Sequence, residues 1–224
     1  MSNQNKKQLK FVKGEMYEYE IYPLVDKFDT TLTQKTDPFV FEGETRTPII
    51  AKYLAVSLLE TMKANYGIGL AANQCGIPLS VFVMGGEGVG YAFFNPEIVA
   101  TSGISSFDEG CLSFPGLFLN IKRPENVRIK YQDFNGVWQE KDFSGLSARV
   151  VLHEYDHMEG IVFTSKISPI LLDRAKTKVA KNLKILARQR EKEEKEALIH
   201  KAMSNLALEG NKKLTSDQVL TANT

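Results

Sequence analysis

The sequence is poor in several residues and patterns, and each absence excludes a class of protein. Its 224 residues include only two cysteines, Cys75 and Cys111, so no disulfide framework is predicted. No apolar run reaches the roughly 18 residues that a membrane span needs. The first 20 residues contain neither an apolar core nor an arginine, which argues against a secretory signal and an organellar transit peptide. We therefore expect a reducing, cytoplasmic compartment in which both cysteines are thiols.

An excess of charge of either sign is also missing. Lys and Arg total 28 and Asp and Glu total 27, for a formal net charge of +1. This balance gives no case for a DNA-binding protein, and we expect no membrane partner either. A hydrophobic fraction of 43% is ordinary for a globular chain with one good-sized core.

Periodicity along the chain predicts a mixed fold. A helix is expected over residues 47–67, starting at Thr47 and Pro48 and ending at Gly67. Short β-rich runs then alternate with glycine turns, and Asn135-Gly136 is a strong hairpin signal. A second helix is predicted from an N-cap at Ser144 to a stop at Gly160. Its first turns are apolar or small, so we expect an α+β fold with antiparallel β-sheets packed around this central helix.

The chain ends differ from the middle. We predict a flexible N-terminal tail at 1–15, a catalytic domain at 16–168, a long C-terminal helix at 169–209 and a disordered tail at 210–224. The segment IVFTSKISP, residues 161–169, reads as strand-like before that helix.

The second predicted helix contains a candidate metal-binding motif, HEYDH, at residues 153–157. Positions four apart share a helix face, so His153 and His157 can reach one metal ion, with Glu154 available as a general base. The motif is short and also occurs by chance on solvated helices. Here the preceding residues are apolar, which predicts a buried helix, and buried histidines need partners.

Two histidines leave a metal short of ligands. A third histidine six residues after His157 would indicate one class of protease, but that position is Phe163. Glu191, Glu193, Glu194 and Glu196 lie in a charged run typical of a solvated face. Cys111, in DEGCLSFPG, is the better candidate, because two histidines, one thiolate and an open position form a catalytic pattern.

With this ligand set, the chain resembles the peptide deformylase family. The resemblance covers roughly residues 21–190 and rests on three motifs in the family's order: GIGLAANQ at 67–74, EGCLS at 109–113 and HEYDH at 153–157. It implies a metal-dependent amide hydrolase that removes the N-formyl group from the initiator methionine of nascent polypeptides and releases formate. It also implies one divalent metal per chain, Fe²⁺ in vivo, with Zn²⁺, Ni²⁺ or Co²⁺ able to occupy the site.

The resemblance also implies roles for individual residues. Cys111, His153 and His157 match the metal ligands, and Glu154 matches the general base and acid. The Gln74 side chain and the Leu112 N–H match donors to the developing oxyanion, and Gly69 matches a backbone position close to the formyl end of the substrate. Because they lack side chains, Gly67 and Gly69 also permit close approach of an extended peptide. Gly67 has a second interpretation as a helix C-cap. An ion pair between Asp156 and Arg123, near the metal helix, is implied as well.

Two features leave interpretations open. Many members of the family have arginine seven residues beyond the motif cysteine, where this chain has Phe118, so its substrate preference is in doubt. The segment 174–190 contains seven basic residues and no acid. It is either a solvated face or, as the resemblance implies, a surface that docks to ribosomal RNA near the nascent chain.

Two other classes of function compete with this interpretation. The first is a peptidase built on HExxH, against which Phe163 and the EGCLS context both argue. The second is a non-catalytic ribosome-associated protein with the same fold. The presence of Cys111, Glu154 and Gln74 argues against it.

Overall fold

The computed structural model describes residues 8–12, 15–41, 47–86, 89–185, 188, 189, 192, 194 and 195. The chain divides into two compact units, Met1–Asp173 and Arg174–Thr224. Over the part of the chain that is described, no helix is both long and apolar enough to cross a membrane.

The first unit is a mixed α+β structure whose sheets are all antiparallel, as the sequence predicts. β1 pairs with β2, β6 pairs with β7, and a five-stranded sheet has the order β3-β4-β5-β8-β9. The elements are β1 (Gln8–Val12), β2 (Glu15–Tyr19), α1 (Thr47–Ala64), β3 (Gly69–Ala71), β4 (Val81–Gly86), β5 (Val89–Ser102), β6 (Ser105–Gly110), β7 (Phe118–Arg123), β8 (Asn126–Gln132), β9 (Trp138–Ser144) and α2 (Gly145–Met158).

The five-stranded sheet has a core on each face. Successive side chains of a strand point to opposite sides, and β4 shows the result. Phe82 packs in one buried cluster together with residues of α2, whereas Val81 and Val83 pack in another together with residues of α1. Both helices are amphipathic enough to bury one side against this sheet, and that burial is the main stabilising contribution. Packing against the sheet therefore fixes the position of α2 relative to β3 and β4.

Helix α1 ends at Ala64, three residues before the predicted stop. The N–H of Tyr66 donates to the carbonyl of Lys63 at 3.0 Å and the N–H of Gly67 donates to that of Met62 at 2.9 Å, which together form a Schellman motif. Its left-handed position, usually glycine, is Tyr66 with a φ of 57°. Gly67 therefore follows the cap instead of forming it.

Helix α2 begins and ends where the sequence predicts. Ser144 occupies the N-cap position in extended conformation, although its side chain makes no capping hydrogen bond. Gly160 follows the helix with a φ of 70°, and a Cβ there would lie 2.8 Å from the carbonyl oxygen of Thr33. Both the backbone conformation and the close approach require glycine at this position.

The hairpin of β8 and β9 also matches its prediction, with Gly136 at a φ of 80° in the turn. The segment IVFTSKISP does not, because its described structure is a 3-10 turn at Phe163–Lys166 and no strand. The predicted flexible tail at 1–15 includes the paired strand β1, while residues 1–7 and 13–14 lie outside the described residues. In the second unit residues 174–185 are helical, and most of the predicted continuation to 209 and the whole tail at 210–224 lie outside the described residues.

Candidate metal centre

Three side chains of the predicted metal site converge in the structure. The ligand atoms of Cys111, His153 and His157 all lie within 4.8 Å of one another. Cys111 follows β6, and the two histidines lie one turn apart on α2 with ring centroids 5.1 Å apart. Both imidazoles are buried, so the cluster is enclosed by the fold on the α2 side.

These donors fit one divalent transition metal. Cys111 Sγ lies 3.3 Å from His157 Nε2. This separation is shorter than the sum of a metal–sulfur bond of about 2.3 Å and a metal–nitrogen bond of about 2.1 Å, so one ion can bind both atoms. Two imidazoles and one thiolate are a donor set typical of catalytic metal sites that keep an open position.

A pocket of about 680 Å³ opens next to the metal cluster. That volume is in the range of small-ligand sites. It is lined by seven of the eight predicted site residues: Gly67, Gly69, Gln74, Cys111, Leu112, His153 and Glu154. The eighth, His157, is buried beneath it and is in contact with Cys111. The structure thus brings all the predicted site residues to one place.

Glu109 is the centre of a buried ionic network behind the cluster. Its carboxylate accepts hydrogen bonds from Arg123 Nε at 2.6 Å, Arg149 Nη1 at 2.6 Å and His153 Nδ1 at 3.1 Å. Burial alone would raise the pKa of Glu109, but the hydrogen bonds from His153 and Arg123 outweigh it and hold the pKa at about 2. Glu109 is therefore a carboxylate at all physiological pH values.

Arg123 extends this network to Asp156, in the same turn of α2 as His157. Its Nη1 lies 2.6 Å from Asp156 Oδ2, which confirms the predicted ion pair. Lys166 adds a second cation 2.9 Å from the same carboxylate oxygen. Asp156, in the ligand-bearing turn of α2, is thus tied through Arg123 to β7 and through Lys166 to the 3-10 turn.

Glu154 is buried beside the metal cluster. Its Oε2 has no hydrogen-bond partner among the described residues, although almost all buried polar atoms have one. Burial raises its pKa to about 7, against the opposing effects of His153 and Arg123. A carboxyl group whose pKa lies near neutrality can both accept and return a proton.

Gln74 reaches the cluster from the 3-10 turn that follows β3. Its Nε2 donates to Cys111 Sγ at 3.4 Å and to Ser113 Oγ at 3.1 Å. Its Oε1 accepts from the N–H of Ala71 at 2.9 Å, which fixes the orientation of the amide. The amide nitrogen is thereby aimed at the metal cluster.

The two glycines of the first motif permit close packing at this site. A Cβ at Gly69 would collide with Glu154 Oε1 and lie 2.7 Å from Val150 Cγ1. A Cβ at Gly67 would lie 2.7 Å from Leu112 Cδ1. Neither glycine has a positive φ, so close approach, and no unusual backbone conformation, is the reason for glycine at both positions.

Comparison with known proteins agrees with this geometry. Residues 21–172 match the family model described as polypeptide deformylase. This match covers well over half of the chain. The chain belongs to the peptide deformylase family.

Individual deformylases show the extent of the similarity. The peptide deformylase of Synechococcus sp. (strain RCC307) is 44% identical over 121 residues, which are 51% of this chain and 60% of that protein. The peptide deformylase of Afipia carboxidovorans is 38% identical over 141 residues, 60% of this chain and 82% of that protein. The crystal structure of a peptide deformylase from Legionella pneumophila superposes with a TM-score of 0.66 at 32% identity, covering 75% of this chain and 98% of that one.

As a deformylase the chain is a metal-dependent hydrolase, and Cys111, His153 and His157 form a site suited to a divalent ion. Three residues at this site were not singled out from the sequence: Glu109, Ser113 and Arg149. Glu109 and Ser113 flank Cys111 within EGCLS, and Arg149 lies in the apolar stretch before HEYDH. A buried arginine needs a carboxylate partner, so the presence of Arg149 in an apolar helix could have predicted a buried ion pair.

Proposed function

We propose that the chain hydrolyses the formamide bond of N-formylmethionyl peptides at the pocket beside Cys111, His153 and His157. The observation that carries this proposal is the convergence of three separate motifs on one cavity. Beside the ligand atoms, a carboxylate oxygen of Glu154 has no hydrogen-bond partner among the residues that the structure describes. A divalent metal on these ligands would lower the pKa of water and draw electron density from a carbonyl oxygen.

Glu154 is the general base and then the general acid. Its Oε2 accepts a proton from the water that attacks the formyl carbon. The same carboxyl group donates this proton to the methionine nitrogen as the C–N bond breaks, so that formate and a free amine result. The raised pKa of Glu154 supports both half-steps near neutral pH.

Gln74 and Leu112 stabilise the negative charge that develops on the formyl oxygen. Gln74 Nε2 is already held toward the cluster through its bonds to Cys111 and Ser113. Leu112 directly follows the ligand Cys111 and lines the same pocket. Loss of one such donor commonly costs about 3 kcal/mol of transition-state stabilisation.

Gly67 and Gly69 bind the substrate backbone. Both glycines line the pocket, and neither has a side chain that would project into it. An extended peptide can therefore lie against this stretch of chain, with its formyl end near Glu154.

Ferrous iron is the metal we assign in vivo, with zinc, nickel and cobalt as alternatives. The family resemblance supports this assignment, and the mixed nitrogen and sulfur ligands suit all four ions. Because the Cys111 thiolate is oxidisable, the iron form should lose activity in air faster than the nickel form.

The wider assignments follow from the substrate. A catalytic domain at residues 16–168, organised around α2 with its HExxH motif, would act on formylmethionyl nascent chains in the cytoplasm.

The basic helix that begins near residue 169 would dock to ribosomal RNA. Its seven basic side chains between 174 and 190 support this proposal. Ribosome pelleting should then weaken steeply with salt and be lost on truncation after residue 170. Undiminished pelleting of the truncated chain would contradict this.

The reaction is tested by the products formed from three peptides: formyl-Met-Ala-Ser, acetyl-Met-Ala-Ser and Met-Ala-Ser. We expect formate and intact Met-Ala-Ser from the first, slow or no conversion of the second, and no cleavage of the third. A peptidase would instead cut a peptide bond of unformylated Met-Ala-Ser. Product analysis by mass spectrometry separates the two outcomes.

A further inference from the structure

The apolar lining of the pocket beside the metal cluster is graded from buried to exposed. Val150 and Leu117 are buried, and a second set, Ile68, Phe107 and Leu146, is about half exposed. Two aromatic side chains of the lining are the most exposed, Tyr66 at 97% and Phe118 at 65%. With the formyl group of a peptide at the buried Glu154, the residues further along the peptide extend toward the exposed part of the lining, which includes these two rings.

Tyr66 has a backbone conformation that is unusual for a residue other than glycine. It occupies the left-handed cap position of α1, with a φ of 57°, where glycine is the usual residue. A left-handed conformation is unfavourable for a residue with a Cβ, and such conformations cluster at ligand sites. Its side chain gains almost no burial in return, so packing within the fold does not explain it.

Phe118 is placed by the strand next to the metal ligand. It is the cross-strand partner of Gly110, the residue before Cys111. A Cβ at Gly110 would lie 2.9 Å from Phe118 Cε1, so the ring lies directly over this glycine. One side of the ring covers the strand that leads to Cys111, and the rest of it is open to solvent at the pocket mouth.

The mouth has little charge to attract a polar peptide. Among the described residues that line the pocket, the carboxylate and guanidinium groups are Asp108, Glu109, Arg149 and Glu154, and only Asp108 is exposed. Asp108 already accepts a hydrogen bond from Asn120 Nδ2 at 2.9 Å. Apolar and aromatic contact is therefore the main interaction that this mouth offers.

We propose that Tyr66 and Phe118 bind the side chains of the second and third residues of the formylated peptide and select bulky apolar ones. This inference rests on the proposed deformylation at the same pocket. The two exposed rings lie on different segments of the lining, and a bound peptide would remove their apolar surface from water. That burial favours binding, and aromatic contacts with the peptide add to the binding free energy.

A competition assay measures this preference directly. Formyl-Met-Leu-Phe-amide and formyl-Met-Ser-Ser-amide are mixed with metal-loaded protein, and both deformylated products are followed in the same tube. The product ratio gives the ratio of the two kcat/KM values and does not depend on the fraction of active protein. We expect about a tenfold preference for the apolar peptide in the parent protein.

The test variants are Tyr66→Gly and Phe118→Ser, and each should lower the ratio by about threefold or more. Tyr66→Gly removes the strained backbone position, so its Tm should not fall below that of the parent, which separates lost selectivity from lost folding. Phe28→Ser is the matched control, because Phe28 is also exposed and does not line the pocket. It should leave the ratio unchanged.

A second measurement does not depend on turnover. Calorimetric titration with the product Met-Leu-Phe-amide should show weaker binding to both test variants than to the parent and to Phe28→Ser. Formate release with a ratio near one, or a ratio that neither test variant changes, would overturn the inference and leave the proposed function intact. No formate release from either peptide by metal-loaded protein would overturn the proposed function and the inference with it.

Discussion

His153 Nδ1 lies 3.1 Å from Glu109 Oε2, so the carboxylate of Glu109 holds one histidine of the metal site through this ring nitrogen. The same carboxylate is bound by Arg123 and Arg149. A hydrogen bond of this kind fixes the tautomer and the ring orientation of a metal-binding histidine. Glu109 thus links the geometry of the metal site to the stability of the fold.

Replacing Glu109 with Gln should weaken both. The change keeps the shape but leaves the buried guanidinium group of Arg149 without its carboxylate, whereas Arg123 keeps Asp156. This loss should reduce the free energy of unfolding by about 3 kcal/mol. Gln offers one acceptor oxygen where Glu109 has two, so with that oxygen toward the arginines its NH2 group faces His153 Nδ1. The lost hydrogen bond to His153 should cost about tenfold or more in metal affinity. Urea unfolding and competition with a chelator measure the two effects. Asp142→Asn, at an exposed pair with Arg128, is the control and should change stability by less than about 1 kcal/mol.

Arg123→Ala should lower metal retention without touching a metal ligand. The substitution leaves Glu109 and Asp156 with one cation fewer and frees the α2 turn from β7. We expect faster metal loss during dialysis against a chelator and a lower unfolding midpoint, whereas Arg128→Ala on the exposed face should change neither. Unchanged metal content and stability in Arg123→Ala would show that the network does not support the site.

Gly69→Ala should reduce activity more than stability. The added methyl group would collide with Glu154 Oε1 and come within 2.7 Å of Val150 Cγ1, so the Glu154 carboxylate must move. A displacement of the general base should cost about 100-fold in kcat. Gly145→Ala is a useful control, since a Cβ there meets nothing within 4 Å and costs only the strain of a φ of 57°. Full activity in Gly69→Ala would mean that Glu154 has no fixed position.

Cys75 gives a prediction for the effect of pH. Burial raises the pKa of this thiol from its ordinary value near 9.0 to about 12. The folded state therefore favours the neutral thiol. The resulting stability is fully present below pH 9 and is lost as the pH rises toward 12. In metal-loaded protein, iodoacetamide at pH 8.5 should leave Cys75 unmodified until the chain is unfolded, because the thiolate is the reacting form. Rapid labelling of folded protein at Cys75 would contradict the account.

The parts of the structure that could be predicted from sequence depend on local signals. The start of α2 at Ser144, its stop at Gly160 and the spacing of the two histidines all lie within 17 residues of chain, so one helical period connects them. The Asn135-Gly136 turn is local in the same way. Such features need no knowledge of the rest of the fold.

Contacts between distant segments were harder to predict. Glu109 and Arg149 are 40 residues apart, and no spacing rule relates them until β6 and α2 are packed together. The segment after Gly160 has the composition of a strand, but its tertiary surroundings hold Phe163–Lys166 as a 3-10 turn, with Phe163 buried against His153. The stop of α1 was misplaced for a related reason, since a tyrosine takes the position where glycine is usual.

Formate release tests the central claim most directly. The parent protein and Glu154→Ala are prepared without oxygen, loaded with iron or nickel and shown to hold one metal ion per chain. They are then assayed with formyl-Met-Ala-Ser. We predict formate release by the parent and near-complete loss in the variant at equal metal content. No release by a parent protein that holds its metal, or equal release by both proteins, would contradict the assignment of a deformylase site with Glu154 as its base.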